Sequence, residues 1–278
     1  MTNVDLAYRR SRIPTAADGR SPRGRYFAAV ACALLGFYAF EVVRTAWISD
    51  DAQITVRTIL NFVNGLGPVF NVGERVQGYT HPLWFLLLAA LQFVVADLYT
   101  AVFVASVTLS LAAFAILLFG VGVAPGATVV AALALVLSKS FVDYSTSGLE
   151  NPLAHFVLAV FVWSTCTRER LSGPELTRSA LAFSAIVLTR HDLAVLALPA
   201  MLAAVARAES WATALRATLL GSIPFVVWES FSLVYYGALV PNTALAKLNT
   251  LATAEQNVVQ GVYYFADSLR GDPVTLAV

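Results

Sequence analysis

Two adjacent carboxylates, Asp50 and Asp51, open the segment ISDDAQITVRTILNFVNGLGPVFNVGERVQGYTHPLW (residues 48–84), which is rich in Gly, Asn, Arg and Glu and lies between two almost purely apolar runs. Adjacent acids repel. Away from water, one tends to hold a proton while its neighbour binds a cation or a positively charged group. Where a lipid headgroup meets the aqueous side, such a pair can supply a base that activates a hydroxyl. A plainer role for Asp50 is that of helix N-cap, with Gln53 three residues later completing a capping box. One cap does not account for two acids. A metal site is a further option, with His81 and His191 as nitrogen ligands and Asp50, Asp51 and Glu74 as oxygen ligands, and with Asp51, Glu74 and His81 as the leading candidates. Three histidines in the whole chain make a zinc cluster improbable, whereas oxygen-rich sites suit magnesium, calcium or manganese.

The elements that must carry these groups belong to a membrane. Hydrophobic residues make up 58% of the 278, charged residues 13%, and the mean hydropathy is +0.72. Soluble chains carry ~25% charged residues. The net charge of +1 says nothing about partners, because in a membrane the position of the basic residues along the chain is what matters, and nothing in the sequence suggests nucleic-acid binding. Residues 1–25 hold Arg9, Arg10, Arg12, Arg20, Arg23 and Arg25 and read as a cytoplasmic tail. The run 26–47 is long enough for a first, uncleaved span. Basic residues inside then place residues 48–82 outside the cytoplasmic membrane. Further spans are expected at 83–97, 101–122, 153–167, 178–190, 192–206 and 217–236. With Arg168, Arg170, Arg178, Arg207 and Arg216 cytoplasmic, residues 139–151, 190–192 and 237 onward face the same side as the acidic pair. That pattern needs an odd number of crossings between Asp97 and Lys139. Two apolar stretches, 101–122 and 124–138, lie there, so one is expected not to span.

Within the opening segment, Ala52, Val56, Ile59, Leu60 and Val63 form the stripe of an amphipathic helix suited to a membrane surface, ended by Asn64-Gly65 and Gly67-Pro68. Trp47, Tyr79, Trp84, Tyr235 and Tyr236 fit an aromatic belt. Glu229, inside an apolar run, calls for an internal partner, with Arg44, Arg57 and Arg190 as candidates. His155 reads as a packed side chain, and Cys32 and Cys166 are placed wrongly for an exofacial disulfide.

A basic tail, one span, an acidic pair opening an exofacial loop and a surface helix together resemble the GT-C glycosyltransferases, which use polyprenyl-phosphate sugars. Within that class, residues 50–84, SGLENPL (147–153), LTRHDL (188–193) and PNTALAK (241–247) resemble the actinobacterial terminal β-(1→2) arabinofuranosyltransferases. The resemblance implies an all-α, polytopic transmembrane bundle over residues 26–278, followed in the family by further spans and a C-terminal extracytoplasmic domain. It also implies a multi-pass protein of the cell membrane with its active site on the extracytoplasmic side. The donor would be decaprenylphosphoryl arabinofuranose. The acceptor would be a polysaccharide or glycolipid, arabinogalactan or lipoarabinomannan. Asp50 is then the leading general base, and Asp51 its alternate or a metal ligand. Arg57, Glu150, Arg190, His191, Asp192, Asn242 and Lys247 become substrate-binding candidates. Arg190 and Lys247 suit the negative charge that grows on a phosphate leaving group, although a lone Arg at a span end also serves as an interfacial anchor. A β-linked donor giving a β-linked product needs more than one inverting displacement, and two carboxylates can act as nucleophile and acid/base.

Other classes predict other patterns. A transporter or flippase of a lipid-linked saccharide would show paired, Gly/Pro-interrupted helices in two related halves. Here the polar residues concentrate in one loop. A rhomboid-like protease would need Gly two residues before Ser147, where Ser145 stands. A GT-C enzyme for another polyprenyl-phosphate sugar and a non-catalytic membrane subunit both fit the same composition.

Overall fold

The computed structural model describes residues 21–166, 170–242 and 253–277. Among these residues the secondary structure is helical throughout, an all-α membrane bundle without strands. The first helix, α1 (Pro22–Arg44), begins where the Ser21 side chain accepts the Gly24 N–H and Pro22 supplies a preset φ. The second, α2 (Asp50–Val63), is the expected amphipathic helix and ends at Asn64. Its cap differs from expectation. Ser49, not Asp50, accepts the Ala52 N–H at 3.2 Å. The Ser49 backbone N–H is already taken by the Ser147 carbonyl at 2.8 Å, which holds that residue extended and starts the helix at Asp50, one position earlier than an Asp50 cap would. Asp50 and Asp51 are therefore both first-turn residues, and Gln53 accepts the Tyr99 hydroxyl at 2.8 Å instead of closing a capping box.

The expected span 83–97 is shorter in the structure. It forms α3 (Pro82–Gln92), and the chain then turns so that Asp97 can cap α4 (Leu98–Phe119) by accepting the Thr100 N–H at 2.7 Å. Next come α5 (Pro125–Leu137), α6 (Lys139–Asp143), α7 (Asn151–Cys166), α8 (Gly173–Thr189), α9 (Leu193–Ala206), α10 (Trp211–Tyr236), α11 (Ala254–Gly271) and α12 (Pro273–Ala277). By length and composition, α1, α4 and α10 can each cross a bilayer, and the chain is a membrane protein. Of the two apolar stretches between Asp97 and Lys139, α4 has the length to span. The 13 residues of α5 reach only ~20 Å at ~1.5 Å each, against a hydrocarbon core of ~30 Å.

Two apolar cores share α4. The smaller joins α1, α4, α5 and α6 around Phe27, Tyr38, Phe114 and Val136. The larger joins α2, α3, α4 and α7 to α10. Two members of the expected aromatic belt are in fact interior: Trp84 is fully buried and donates its indole N–H to the Gly148 carbonyl at 3.1 Å, and Tyr79 is buried against Phe85. Each carries one polar atom that the interior satisfies, so neither needs the interface. Trp47 does remain exposed, with its indole N–H on the Asp143 carbonyl at 2.9 Å.

The most extensive helix pair is α8 with α10, and it depends on Gly221. A Cβ there would collide with Ala180 and lie 2.9 Å from the Leu181 nitrogen. Ser184 donates across the same crossing to the Gly221 carbonyl at 2.7 Å. Gly221→Ala is expected to cost ~1–3 kcal/mol as overpacking, read as a lowered midpoint of thermal unfolding in detergent. Gly261→Ala, in α11 with open space around the added Cβ, is the control and should not lower it.

Candidate active site

The turn before α7 is what ties the acidic pair to the rest of the polar residues. Gly148 has φ +81°, and a Cβ there would stand 2.8 Å from the Ala52 side chain, so both conformation and space require glycine. Closing on α2 in this way, the turn presents Glu150 to the interior, where its side chain is 8% exposed. A buried carboxylate needs partners. His81, the residue before α3, places Nδ1 3.1 Å from Glu150 Oε2, and its Nε2 lies 2.8 Å from the Thr55 hydroxyl on α2. With Thr55 donating to Nε2, the ring hydrogen sits on Nδ1, on the side of Glu150 and at ion-pair distance from it. From the end of α8, Arg190 donates Nη1–H to Glu150 Oε1 at 3.2 Å. Its Nε and Nη2 form a fork onto Asp192 at 3.1 and 2.8 Å. A continuous polar chain thus runs Thr55, His81, Glu150, Arg190, Asp192.

Charge balance follows from these contacts. Burial works to raise the Glu150 pKa, but His81 and Arg190 together outweigh it and hold the carboxyl below its ordinary value. Arg190 is raised, chiefly by Asp192, and Asp192 is lowered, chiefly by Arg190. Because the folded-state pKa of Glu150 lies below its unfolded value, the stability it contributes is complete above the ordinary carboxylate range. It is lost as pH falls through the folded pKa, from about pH 5 downward. Glu150→Gln should therefore flatten the acid limb of unfolding temperature against pH. A limb of unchanged slope would show that other carboxylates carry it.

The two acids differ in where α2 points them. At ~100° per residue, Asp51 shares a stripe with Thr55 and Thr58, both buried, whereas Asp50 shares one with Arg57 and Asn61. Both carboxylates are exposed, but Asp51 stands one turn above Thr55, at the outer end of the polar chain. Asp50 Oδ1 accepts the Asp51 N–H at 2.9 Å. Arg57 lies apart, over the Phe70 ring at 4.3 Å, with Nη2 3.5 Å from Asn71 Oδ1. Glu74 is also apart, accepting from Asn71 at 3.1 Å. The candidate metal set Asp51, Glu74 and His81 is not assembled: both His81 nitrogens face other partners, and among the described residues no three His, Cys, Asp or Glu side chains converge. His191 Nε2 lies 3.6 Å from Glu229 Oε1, an ion-pair distance without a hydrogen bond, and among the described residues none of the three expected arginines pairs with Glu229. Arg44 is occupied by Glu41 at 2.6 Å. Asn242 is half-buried, and Lys247 lies outside the described residues. His155 is packed as expected, 4.8 Å from the Phe141 ring.

Thr55 is not among the candidates that sequence alone supplies. Its signal is a hydroxyl four residues after Asp51, on the side of α2 that alternates Thr55 and Thr58 with Ala52, Val56 and Ile59. An apolar groove of about 500 Å³ adjoins the chain, between α2, α3, α8 and α10, lined by Phe62, Leu83, Phe85, Leu188, Val227 and Trp228. Pro82 on its wall follows His81, and Leu188 precedes Arg190 by two residues.

Comparison with known proteins identifies two relatives. The terminal β-(1→2)-arabinofuranosyltransferase of Mycobacterium tuberculosis is 33% identical over 219 residues, covering 72% of this chain and 35% of the relative. The enzyme of the same name from Corynebacterium glutamicum is 27% identical over 275 residues, covering 85% of this chain and 39% of the relative. This chain resembles these arabinofuranosyltransferases over most of its length. It spans little more than a third of theirs. No family model matches the chain, and no solved structure matches it. The arabinofuranosyltransferase resemblance drawn from the acidic segment and the three shorter motifs thus stands on aligned sequence as well. Three of those four blocks, 50–84, 147–153 and 188–193, are the stretches that the fold brings into one polar chain.

Proposed function

We propose that this chain forms the membrane portion of a glycosyltransferase that moves arabinofuranose from decaprenylphosphoryl arabinofuranose to a cell-envelope arabinan, arabinogalactan or lipoarabinomannan. The reading rests on the names of the two relatives and on one observation: a chain of polar contacts runs from Thr55, one turn after the acidic start of α2, through His81 and Glu150 to Arg190, beside an apolar groove. In this reading the groove takes the first units of the prenyl chain. Three of the five N–H donors of Arg190 are engaged by Asp192 and Glu150, which leaves two for the donor phosphate. As the bond from the anomeric carbon to the phosphate oxygen breaks, the polyprenyl phosphate leaves with the electron pair and Arg190 meets the added charge. The acceptor hydroxyl gives its proton to a carboxylate of the pair, with Asp51 in the stronger position, as its oxygen bonds to the anomeric carbon. Net retention of the β configuration takes two displacements: one acid bonds to the anomeric carbon as the prenyl phosphate leaves, and the acceptor oxygen then displaces that carboxylate while its proton passes to the other acid. A divalent cation at Asp51 would need ligands from the donor phosphate, since Glu74 and His81 are held elsewhere.

The test is transfer itself. Membranes carrying the complete protein, supplied with radiolabelled decaprenylphosphoryl arabinofuranose and an arabinoside acceptor, should yield a labelled, elongated arabinoside. Donor that crosses the bilayer without forming product would point to a transporter and end this reading.

Sidedness is a separate expectation, motivated by the arginines at 168–178 and 207–216 and by the long helices α1, α4 and α10. With Cys32 and Cys166 replaced by Ser, cysteines at Gln53 and Glu74 should react with an impermeant maleimide in intact cells. One at Glu209 should react only after permeabilisation. The reverse pattern would put the acidic pair on the cytoplasmic side.

A further inference from the structure

Among the described residues, the helix α11 has an apolar face that packs against none. Val258, Val262, Phe265 and Leu269 recur at i, i+4, i+7 and i+11, and each is at least 60% exposed. The opposite face carries Gln256, Gln260 and Asp267. None of its residues is buried. Such a stripe is rarely left to water.

We propose that α11 is a membrane-interface helix, lying along the bilayer surface with this stripe among the acyl chains at the end of the bundle where the polar chain opens. Three observations select lipid over a protein partner. The first is the tether. Directly after α11, Asp272 accepts the Ser140 N–H at 2.7 Å, and Thr275 on α12 hydrogen-bonds the Ser138 hydroxyl, so the C-terminal end of α11 is fixed to the α5–α6 junction. That junction adjoins Tyr144 and Trp47, two exposed aromatics packed edge to face at 6.1 Å, a pairing suited to the headgroup level. Ser145 to Glu150 follow immediately, which puts this level at the same end as the polar chain. The second is length against polarity. Eighteen residues reach ~27 Å, nearly a bilayer core, yet the polar face forbids crossing and leaves lying flat as the way to wet one side only. The third is the side-chain set. Tyr263 and Tyr264 are exposed, beside a face that carries only Glu255, Asp267 and Arg270 as charges across the whole helix. With no basic cluster, attachment draws on apolar burial and does not require anionic headgroups.

The test uses the full chain in phosphatidylcholine nanodiscs, with Cys32 and Cys166 replaced by Ser and one new cysteine carrying an environment-sensitive fluorophore. Val262→Cys and, as a second site on the same face, Leu269→Cys should be quenched several-fold more by spin-labelled acyl chains than by aqueous iodide. Gln260→Cys should show the reverse. Equal access of iodide to all three would overturn the proposal by placing α11 in water. Shielding of both apolar-face sites from both quenchers would overturn it by placing protein against the stripe. A dependence on added phosphatidylglycerol would overturn the assignment of apolar burial as the driving force.

Discussion

Asp51→Asn is expected to insert and unfold as the parent chain does and to lose ~10²- to 10⁴-fold in sugar transfer, the typical contribution of a general base. An amide keeps the size and hydrogen-bonding outline of the carboxylate but cannot accept a proton at useful pH. Among the described residues no ion pair engages the Asp51 side chain, which is exposed, and the helix is capped by Ser49, so the amide gives up only a small favourable interaction with the helix dipole. Asp50→Asn is the informative comparison. Asp50 faces the Arg57 side of α2, away from Thr55 and His81, and its oxygen is turned back to the Asp51 N–H. We expect a smaller loss for Asp50→Asn when transfer is measured per folded molecule with thermal unfolding as control. A larger loss at Asp50, with Asp51→Asn near parental turnover, would return the base to Asp50 and make the stripe on α2 irrelevant to the chemistry. Equal and complete losses would fit two carboxylates with separate roles in a double displacement.

The sequence made some of this arrangement legible and hid the rest for physical reasons. The α2 boundaries were readable because the apolar stripe and the Asn64-Gly65 stop are local signals. Its cap was not. Choosing Ser49 over Asp50 depends on a hydrogen bond to Ser147, nearly a hundred residues away, which no local pattern encodes. Glu150, Arg190 and Asp192 could be named together because charge runs and span ends put their segments on one side of the membrane. Their contacts depend on Gly148 closing onto Ala52, a fact of tertiary fit. Glu229 was recognisable as needing a partner, and the identity of that partner turned on which residue after α8 faces α10, a rotation that hydropathy does not report. Trp84 and Tyr79 resemble interface aromatics by position and are interior by packing. Composition reports that an indole prefers a wet end, and a backbone carbonyl such as that of Gly148 can serve as one.

Arg190 carries the second large effect, and its test has to separate two roles that a simple deletion confounds. Arg190→Ala should weaken use of the phosphate-linked donor. Each lost charge-assisted contact removes roughly 1.5–3 kcal/mol, or about ten- to a hundredfold in kcat/KM. The same change leaves Glu150, 8% exposed, with His81 as its remaining partner, and some lost activity would then reflect a disturbed site. The guanidinium is 39% exposed, so the stability cost should be smaller than for a fully buried pair. Arg190→Lys keeps the positive charge but loses the fork that holds Asp192 at 2.8 and 3.1 Å while leaving donors for a second anion. It should recover stability and only part of the transfer. The decisive variant combines Arg190→Ala with Glu150→Gln. If Arg190 serves only to neutralise Glu150, removing both charges restores stability and transfer together. If it also holds the departing phosphate, the double variant regains its unfolding temperature and stays slow, because no neutral replacement inside the protein can meet the charge that appears on the leaving group. We expect the second result.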